Sequence, residues 1–441
     1  MPTLTVYPTG PQNQALATLR YRAAAEALGW QIVLGKEGVD TVFPERVQQA
    51  DVVLIPRDFP RFFEPFRQVL AEARRAGKPV IYDLDDLLLA IPADHPYLND
   101  YEDALGGILY AIIEADQVIV STPLLREVLL PLQPRIAVWP TLLPDALWAL
   151  QTPRLSEPAA PLRIGYMGGL SHGPDLELIT AVLQQFLNLR GDQVEIHFWG
   201  CSPPAALAEQ PQVRQVNPSV ADYAEFAQVF STTAFADIWL APLKTNLFNR
   251  CKSAIKFWEY SAIGGAGIYS RLEPYDMVVQ DGENGLLAGS YEEWLAAVTQ
   301  LADNPDLRLR LAENAQQTLR QQGLLSTELD SWQAVYTAVS PRSHYPQSDT
   351  LLAQMLLRYS ENVQQRSDQR HQEALNLVAA QKQLQRLQQH LEAVQVRNQV
   401  LQTRSDQLEA ILQNPRWRAW QRFKRITRLD FSPLPDHQPF N

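Results

Sequence analysis

A basic segment and the helix that follows it carry residue types suited to a charged ligand with hydroxyl groups. Arg250 and Lys252 stand directly before a helical pattern, and Lys256 and Glu259 lie within it. Cationic side chains stabilise negative charge that develops on a phosphate. A carboxylate can accept hydrogen bonds from two neighbouring hydroxyl groups at once. We therefore predict a binding site here; a solvated helix face whose lysines pair with Glu259 is the alternative interpretation.

The residues around this segment predict the elements that position it. Residues 237–242 form a short apolar run that ends at a proline, which indicates a buried strand. Ser253 is a good N-cap for the helix, and the N–H groups at that end would point at a phosphate. Gly264 ends the helix, and residues 267–270 indicate the next strand.

A glycine pair provides a second candidate for anion binding. Gly168 and Gly169 follow a predicted strand at residues 162–166 and precede a helix that begins at Asp175. Backbone without side chains can approach a diphosphate closely. His172, in the same loop, is either a ligand-binding residue or an ordinary histidine of a surface loop.

Three aspartates follow the fourth predicted strand of the chain. Asp83, Asp85 and Asp86 lie near its carboxyl end, where open α/β sheets bind ligands. We predict that Asp85 and Asp86 bind substrate or act as a catalytic base, and that His95 is a further catalytic candidate. Capping of the next helix is the alternative for the aspartates, and a metal-binding aspartate motif, which we do not favour, is a further one. Three arginines either line the same cleft or lie on the surface: Arg20, Arg22 and Arg57.

Composition places the chain among globular proteins of a reducing compartment. Its 441 residues suffice for two domains and an extension, and 46% of them are hydrophobic. The formal net charge of −11 argues against a nucleic-acid partner. Two cysteines, Cys201 and Cys251, are too few for a disulfide framework and suit the cytosol. Neither a signal peptide nor a long apolar span is recognisable, so we expect a cytoplasmic protein.

Strands and helices alternate along the first 340 residues, which is typical of parallel, doubly wound sheets. Six strands are predicted in residues 1–150 and a second series in residues 160–340. Residues 151–161 contain three prolines and indicate an interdomain linker. The fold class is therefore α/β, with two Rossmann-like domains.

Residues 351–413 predict a long helix of coiled-coil character. Two interleaved series, mostly leucine, recur every seven residues. They comprise Leu377, Leu384, Leu391, Asn398, Ser405 and Leu412, and Ala380, Leu387, Val394, Leu401 and Leu408. The seven-residue period favours a coiled coil, and Asn398 in its core favours a parallel dimer, so we expect a homodimer. A long amphipathic helix packed on the body of the protein is the alternative.

The C-terminal tail, residues 414–441, carries a charge opposite to that of the body. Between residues 417 and 429, basic side chains gather on one arc of a helix and apolar side chains on the other. The two sets are Arg418, Arg422, Lys424, Arg425 and Arg428, and Ala419, Trp420, Phe423, Ile426 and Leu429. Such a helix suits an anionic membrane surface. Packing on the body, or continuation of the coil, is the alternative, although Pro415 argues against continuation.

The helix segment and a later turn together resemble the donor-binding half of GT-B glycosyltransferases, especially glycosyltransferase family 4 (the group 1 glycosyl transferases). The matching stretches are 252–264, KSAIKFWEYSAIG, and 281–287, DGENGLL. The resemblance covers residues 160–340 well and the first 150 in outline. It implies the GT-B fold, in which the last helix of the second domain packs back across the cleft, where Trp332 would anchor it.

The resemblance also implies roles for the candidate residues. Glu259 would hold the ribose hydroxyls of a nucleotide sugar, and the basic residues before and within its helix would hold the diphosphate. The basic pair that the family carries after its glycine loop is missing here, so His172 or the Arg250/Lys252 pair would substitute. Cys251 stands where the family has a glutamate near the transferred sugar; we interpret it as a packed residue rather than a nucleophile.

These observations predict a glycosyltransferase of the hexosyltransferase type that moves a sugar from a nucleotide donor to a glycan or a lipid-linked acceptor. The donor would bind the second domain and the acceptor the first, without a separate cofactor. The alternatives are a nucleotide-sugar epimerase of GT-B fold and a catalytically degenerate protein that acts as a coiled-coil scaffold. If the tail binds lipid, the protein would lie at the inner face of the cell membrane.

Overall fold

Two parallel β-sheets form the framework of the chain up to residue 340. The computed structural model describes residues 1–38, 41–157, 159–218, 220, 222–343 and 351–427. Two compact units are distinguished, Met1–Gln364 and Gln365–Asn441, and both sheets belong to the first.

The first sheet has six parallel strands in the order β2-β1-β5-β6-β7-β8, and a small antiparallel pair, β3-β4, lies outside it. The strands are β1 (Thr3–Val6), β2 (Gln31–Leu34), β3 (Lys36–Glu37), β4 (Thr41–Val42), β5 (Val52–Pro56), β6 (Val80–Leu84), β7 (Gln117–Val120) and β8 (Ile136–Val138). β5 and β6 are buried along their whole length, because helices cover both faces of a parallel sheet.

The second sheet is also parallel, in the order β11-β10-β9-β12-β13-β14. Its strands are β9 (Leu162–Met167), β10 (Val194–Trp199), β11 (Val213–Val216), β12 (Ile238–Ala241), β13 (Ala266–Ser270) and β14 (Leu286–Ala288). Counted within the sheet, this is the order 3-2-1-4-5-6 of a Rossmann domain, which reverses between β9 and β12. The two Rossmann-like domains predicted from the alternation are therefore confirmed.

The helices lie between the strands and continue beyond them. They are α1 (Ala15–Ala17), α2 (Ala23–Ala27), α3 (Phe63–Ala76), α4 (Leu98–Tyr101), α5 (Leu105–Glu114), α6 (Pro123–Leu129), α7 (Gly173–Arg190), α8 (Ala205–Ala208), α9 (Tyr223–Thr233), α10 (Leu247–Arg250), α11 (Ile255–Ala262), α12 (Tyr291–Asp303), α13 (Pro305–Gln322), α14 (Leu329–Thr337), α15 (Leu351–Gln413) and α16 (Pro415–Thr427). One π-helical segment, Thr18–Arg22, joins α1 to α2. Single 3₁₀ segments are Pro44–Gln49, Phe59–Arg61, Leu88–Ala90, Leu170–His172, Gly191–Gln193, Tyr275–Met277 and Leu325–Thr327.

Helix α14 ties the second domain back to the first, as the resemblance implies. Trp332 is fully buried, 5.1 Å from the ring of Trp30, and stacks on Tyr336 at 4.0 Å. Upstream of α14, the backbone N–H of Leu143 donates to Gly323 and the N–H of Leu325 donates to Leu143. These contacts fix the two sheets relative to each other across the cleft.

The described residues of the C-terminal unit are helical except Asn414, which separates α15 from α16. Leucines and valines of the predicted heptad in α15 are 42–61% exposed. A helix with these residues is present, and its pairing into a coiled coil stays a prediction. Of the tail residues singled out in the sequence, Arg428 and Leu429 lie outside the described residues. Among the described helices, none combines the length and the apolar character needed to cross a membrane.

Candidate functional site

A cavity of about 220 Å³ lies between the two domains, at the carboxyl ends of their strands. The first domain contributes Asp85 and Asp86, which follow β6, and the π-helical residue Arg20. From the second domain come the segment around Lys252 and the side chain of Lys256 on α11. Acidic and basic groups from opposite domains therefore meet in one cleft.

A second cavity, of about 500 Å³, is formed mainly by the second domain. Its wall includes Gly168, Trp199, Tyr223, Phe226 and, at one side, Glu259. The indole N–H of Trp199 is buried and has no hydrogen-bond partner among the described residues. Aromatic walls suit a flat heterocycle.

The glycine pair follows β9, where the strand order of the second sheet reverses. A side chain at Gly168 would place its Cβ 2.6 Å from the hydroxyl oxygen of buried Tyr166. Gly169 is exposed, and a Cβ there would meet nothing within 4 Å. Only Gly168 is therefore required by packing, and its loop brings bare backbone to the edge of the second cavity.

His172 is partly buried in the wall of the first cavity, with 15% of its side chain exposed. Its Nδ1 lies 3.1 Å from a carboxylate oxygen of Asp175, and its Nε2 lies 3.2 Å from Nζ of Lys256. Burial lowers the pKa of His172 to about 4, and the neighbouring Lys256 acts in the same direction. The imidazole is therefore neutral near pH 7, with Nδ1 donating to Asp175 and Nε2 accepting from Lys256.

Glu259 and Lys256 lie one turn apart on α11 and are both buried; Lys256 lines the first cavity and Glu259 the second. Burial raises the pKa of Glu259, against the opposing effect of the Lys256 charge. Burial also lowers the pKa of Lys256, and here Glu259 opposes the shift. Both charged forms are thus poorly solvated without a ligand, which is typical of functional sites.

Lys252 and Ser253 both line the first cavity, but the predicted cap at Ser253 is wrong. Helix α11 begins at Ile255 with Ala254 as its N-cap, and no side chain caps it. The chain forms α10 first, capped by the side chain of Asn246, and then turns before α11. Ser253 lies in this turn, so its side chain belongs to the cleft wall.

Arg250 does not reach the cleft. Its guanidinium donates to both carboxylate oxygens of Glu273, each at 2.9 Å, on an exposed face. The short helix α10 turns Arg250 outward, whereas Lys252, beyond the end of that helix, points inward. Arg250 therefore cannot replace part of the missing basic pair as predicted. The geometry favours the other prediction, in which His172 takes that place, here together with Lys256.

On the opposite wall, Arg57 bridges the two candidate aspartates. Its Nη1 lies 2.6 Å from Asp85 and 3.2 Å from Asp86. Arg57 has a left-handed backbone, with φ of 46°, which is uncommon for a side chain of this size. Burial raises the pKa of Asp85, while attraction by Lys252 and Arg57 outweighs burial and lowers that of Asp86. The two neighbours thus differ in acidity.

Arg20 lines the first cavity, which is the first of the two places that the sequence allows, whereas His95 is not in its wall. His95 packs its ring on Phe248 of the second domain, at 5.4 Å, at the rim rather than in the wall of the cavity. Arg20 is buried, not on the surface, and donates to both oxygens of Asp83 at 2.6 and 3.1 Å. Asp83 is itself part of β6, so it caps no helix, and it does not line the first cavity.

Known proteins resemble this chain in sequence and in fold. Residues 181–332 match a family described as glycosyl transferase-like. Sucrose-phosphate synthase of Thermosynechococcus elongatus superposes with a TM-score of 0.58 at 14% identity, over 77% of this chain and 99% of its own. HepE of Anabaena, solved with UDP and glucose, gives 0.56 at 13% identity over 77% and 100%. A glycosyltransferase of Rickettsia africae gives 0.51 at 10% identity over 77% and 98%. No curated protein matches the chain.

The chain has the GT-B fold of glycosyltransferases. In this GT-B protein, Cys251 is fully buried within the core of the first domain, and its backbone carbonyl accepts from the hydroxyl of Thr122 at 3.0 Å. Burial raises the pKa of its thiol to about 12. Cys251 is therefore a packed residue of the domain contact.

Sequence reasoning missed several residues of the GT-B cleft. Asp175 was noted only as the start of a helix, although its carboxylate contacts His172. The aromatic cavity wall was also missed, although Tyr223, Phe226 and Phe230 recur at the spacing of one helix face. That spacing is the available signal, but it indicates burial equally well, so sequence alone does not separate a cavity wall from a core.

Proposed function

We propose that this protein is a glycosyltransferase that uses a nucleotide-sugar donor. The observation that carries the proposal is the position of α11. It places Glu259 at the second cavity, which has aromatic walls, and Lys256 at the first cavity, which lies between the domains. A base in the aromatic cavity, a ribose at Glu259 and a diphosphate at Lys256 and Lys252 follow the order of groups in a nucleoside diphosphate. The relative solved with UDP and glucose supports this choice of ligand.

Thermal shift with UDP-, GDP-, ADP- and dTDP-glucose tests the proposal, because a ligand that binds the native state raises its apparent stability. We expect one nucleotide to raise the unfolding temperature clearly above the others, followed by transfer when an acceptor is supplied. Product formed without an acceptor would instead indicate an epimerase. Failure of all four donors would favour the scaffold interpretation.

The acceptor would enter from the first domain, beside Asp85 and Asp86. The bond between the anomeric carbon and the diphosphate breaks with its electron pair on the diphosphate, where Lys252 and Lys256 stabilise the charge. The acceptor hydroxyl forms the new bond and gives its proton to a base, for which the two aspartates are our candidates and His95, at the rim, the second choice. Replacement of Asp86 by Asn should slow transfer while nucleotide affinity stays within about twofold, because Asp86 lies across the cleft from the nucleotide.

We also propose that α15 pairs with a second copy of the chain. Its heptad leucines are more than half exposed, which is unusual for an apolar series of this length. Light scattering should give a dimer for the full chain and a monomer after truncation at Val339. A monomeric full-length chain would exclude this pairing.

We propose that the tail helix binds the cytoplasmic side of an anionic membrane. At that surface the enzyme would reach a lipid-linked acceptor. Trp417 and Trp420 stack at 5.2 Å, and Phe423 is 61% exposed. The helix α16 contains five basic residues and no acidic one. The protein should float with anionic vesicles at low salt and lose this binding when residues 414–441 are removed. Equal flotation without the tail would contradict the proposal.

A further inference from the structure

Asp175 is a buried carboxylate at the start of α7 that no role in the cleft yet explains. It is 4% exposed, and both of its oxygens are used in hydrogen bonds. One accepts from Nδ1 of His172 at 3.1 Å. The other accepts from the backbone N–H of Lys244 at 2.8 Å and from the side-chain amide of Asn249 at 2.9 Å.

The two sets of bonds hold two different parts of the donor side. Through His172, Asp175 determines which imidazole nitrogen carries the proton, and the unprotonated Nε2 accepts from Lys256 at 3.2 Å. Through Lys244 and Asn249, it fixes the loop after β12, because the Asn249 amide also donates to the Lys244 carbonyl. Helix α10 follows this loop and leads to Lys252.

We infer that Asp175 is a positioning residue for the diphosphate of the donor, which sets the places of both Lys256 and Lys252 without contact to the ligand. The inference rests on the proposed function. It also explains how the site works without a basic pair after its glycines: the cation comes from α11 and is aimed by the histidine in the glycine loop.

The carboxylate is needed because an amide of the same shape cannot make both sets of bonds. In Asp175→Asn, one oxygen is replaced by a group that donates hydrogen bonds. If the new NH₂ faces His172, the imidazole must accept at Nδ1 and protonate Nε2, and it then no longer accepts from Lys256. If the NH₂ faces Lys244 and Asn249, it meets two donors.

The first measurement is nitrogen NMR of the His172 ring in the wild-type protein, which distinguishes the two neutral tautomers. We expect the proton on Nδ1. A proton on Nε2 would overturn the inference, whether or not a donor is known.

The second measurement is calorimetric affinity for UDP, GDP, ADP and dTDP. Asp175→Asn should lose roughly tenfold or more in affinity for the nucleotide that binds wild type best, the scale of a misplaced charge-assisted hydrogen bond. Glu177→Gln is the matched control, since Glu177 lies on the same helix and contacts the Lys244 ammonium at an exposed position; its affinity should not change. Equal affinities in both variants would overturn the inference alone, whereas no binding by wild type would overturn it together with the proposed function.

A further pair of variants keeps the test decisive if Asp175→Asn does not fold. His172→Gln retains an acceptor near the place of Nε2 and should keep most of the affinity, whereas His172→Leu removes the acceptor and should lose it. Equal affinity in these two variants would show that Lys256 is not positioned through His172 and would overturn the inference.

Discussion

In the first domain, Arg20 donates to both oxygens of Asp83, and Arg57 bridges Asp85 and Asp86 at hydrogen-bond distances. In the second, Lys256 faces a neutral histidine, and among the described residues neither Lys252 nor Lys256 has a carboxylate within ion-pair distance. The first domain thus balances its buried arginines internally, while the second leaves two cations to an incoming anion. The charges that stabilise the fold are therefore paired within the first domain, and the charges proposed to bind the donor lie in the second domain without a carboxylate partner in the described part of the chain.

Loss of Arg20 should have the largest effect, on stability rather than on binding. Arg20→Met leaves the Asp83 carboxylate buried without its partner, and we expect the free energy of unfolding to fall by about 3–5 kcal/mol. Urea denaturation measures this. The double variant Arg20→Met/Asp83→Leu should recover most of the loss, since apolar groups can replace a buried pair. If Arg20→Met is as stable as wild type, the Arg20–Asp83 pair does not stabilise the first domain.

Glu259→Gln should affect binding instead. The amide keeps the shape but weakens the acceptor for ribose hydroxyls, so we expect donor affinity to fall by about 1–3 kcal/mol. Calorimetry with the nucleotide sugar selected by thermal shift is the measurement, and Glu292→Gln, on an exposed helix, is the control. Unchanged affinity in a folded variant would remove Glu259 from the ribose site.

A smaller effect should distinguish two cations only two residues apart. Lys252→Met should reduce donor affinity by about 1 kcal/mol, because this partly exposed ammonium is screened by water. Arg250→Met should leave affinity unchanged, because Arg250 is held by Glu273 outside the cleft. The same calorimetric titration compares the two variants. An equal loss of donor affinity in both would show that Arg250 turns into the cleft when the donor binds.

A further prediction concerns the pH dependence of stability. The folded-state pKa of Glu259 is raised from 4.5 to about 8, so the folded protein holds this proton more tightly than the unfolded chain. Its contribution to stability therefore declines as pH rises from 4.5 to about 8. The stability of wild type relative to Glu259→Gln, from urea denaturation at pH 5 and pH 8, should be lower at pH 8. If the difference in the free energy of unfolding between wild type and Glu259→Gln is the same at pH 5 and pH 8, Glu259 is well solvated in the folded protein.

Local sequence patterns predicted the alternation of strands and helices and the motif that contains Lys256 and Glu259. They could do so because apolar periodicity, glycine and proline act locally along the chain. The turn at residues 281–285 is of this kind, since Gly282 adopts φ of 80° and the buried side chain of Asn284 bonds back to Gln280 and Val278.

Only the tertiary structure decided which charged residues face one another. Arg20 and Asp83 are 63 positions apart, and Lys256 and His172 are 84 apart, so no local pattern could pair them. The same limit explains the errors at Ser253 and Arg250, because their orientations depend on the short helix α10, which ends at Arg250 and precedes Ser253. Local sequence specifies where a helix can begin, but burial against a second domain decides which side chains enter the cleft.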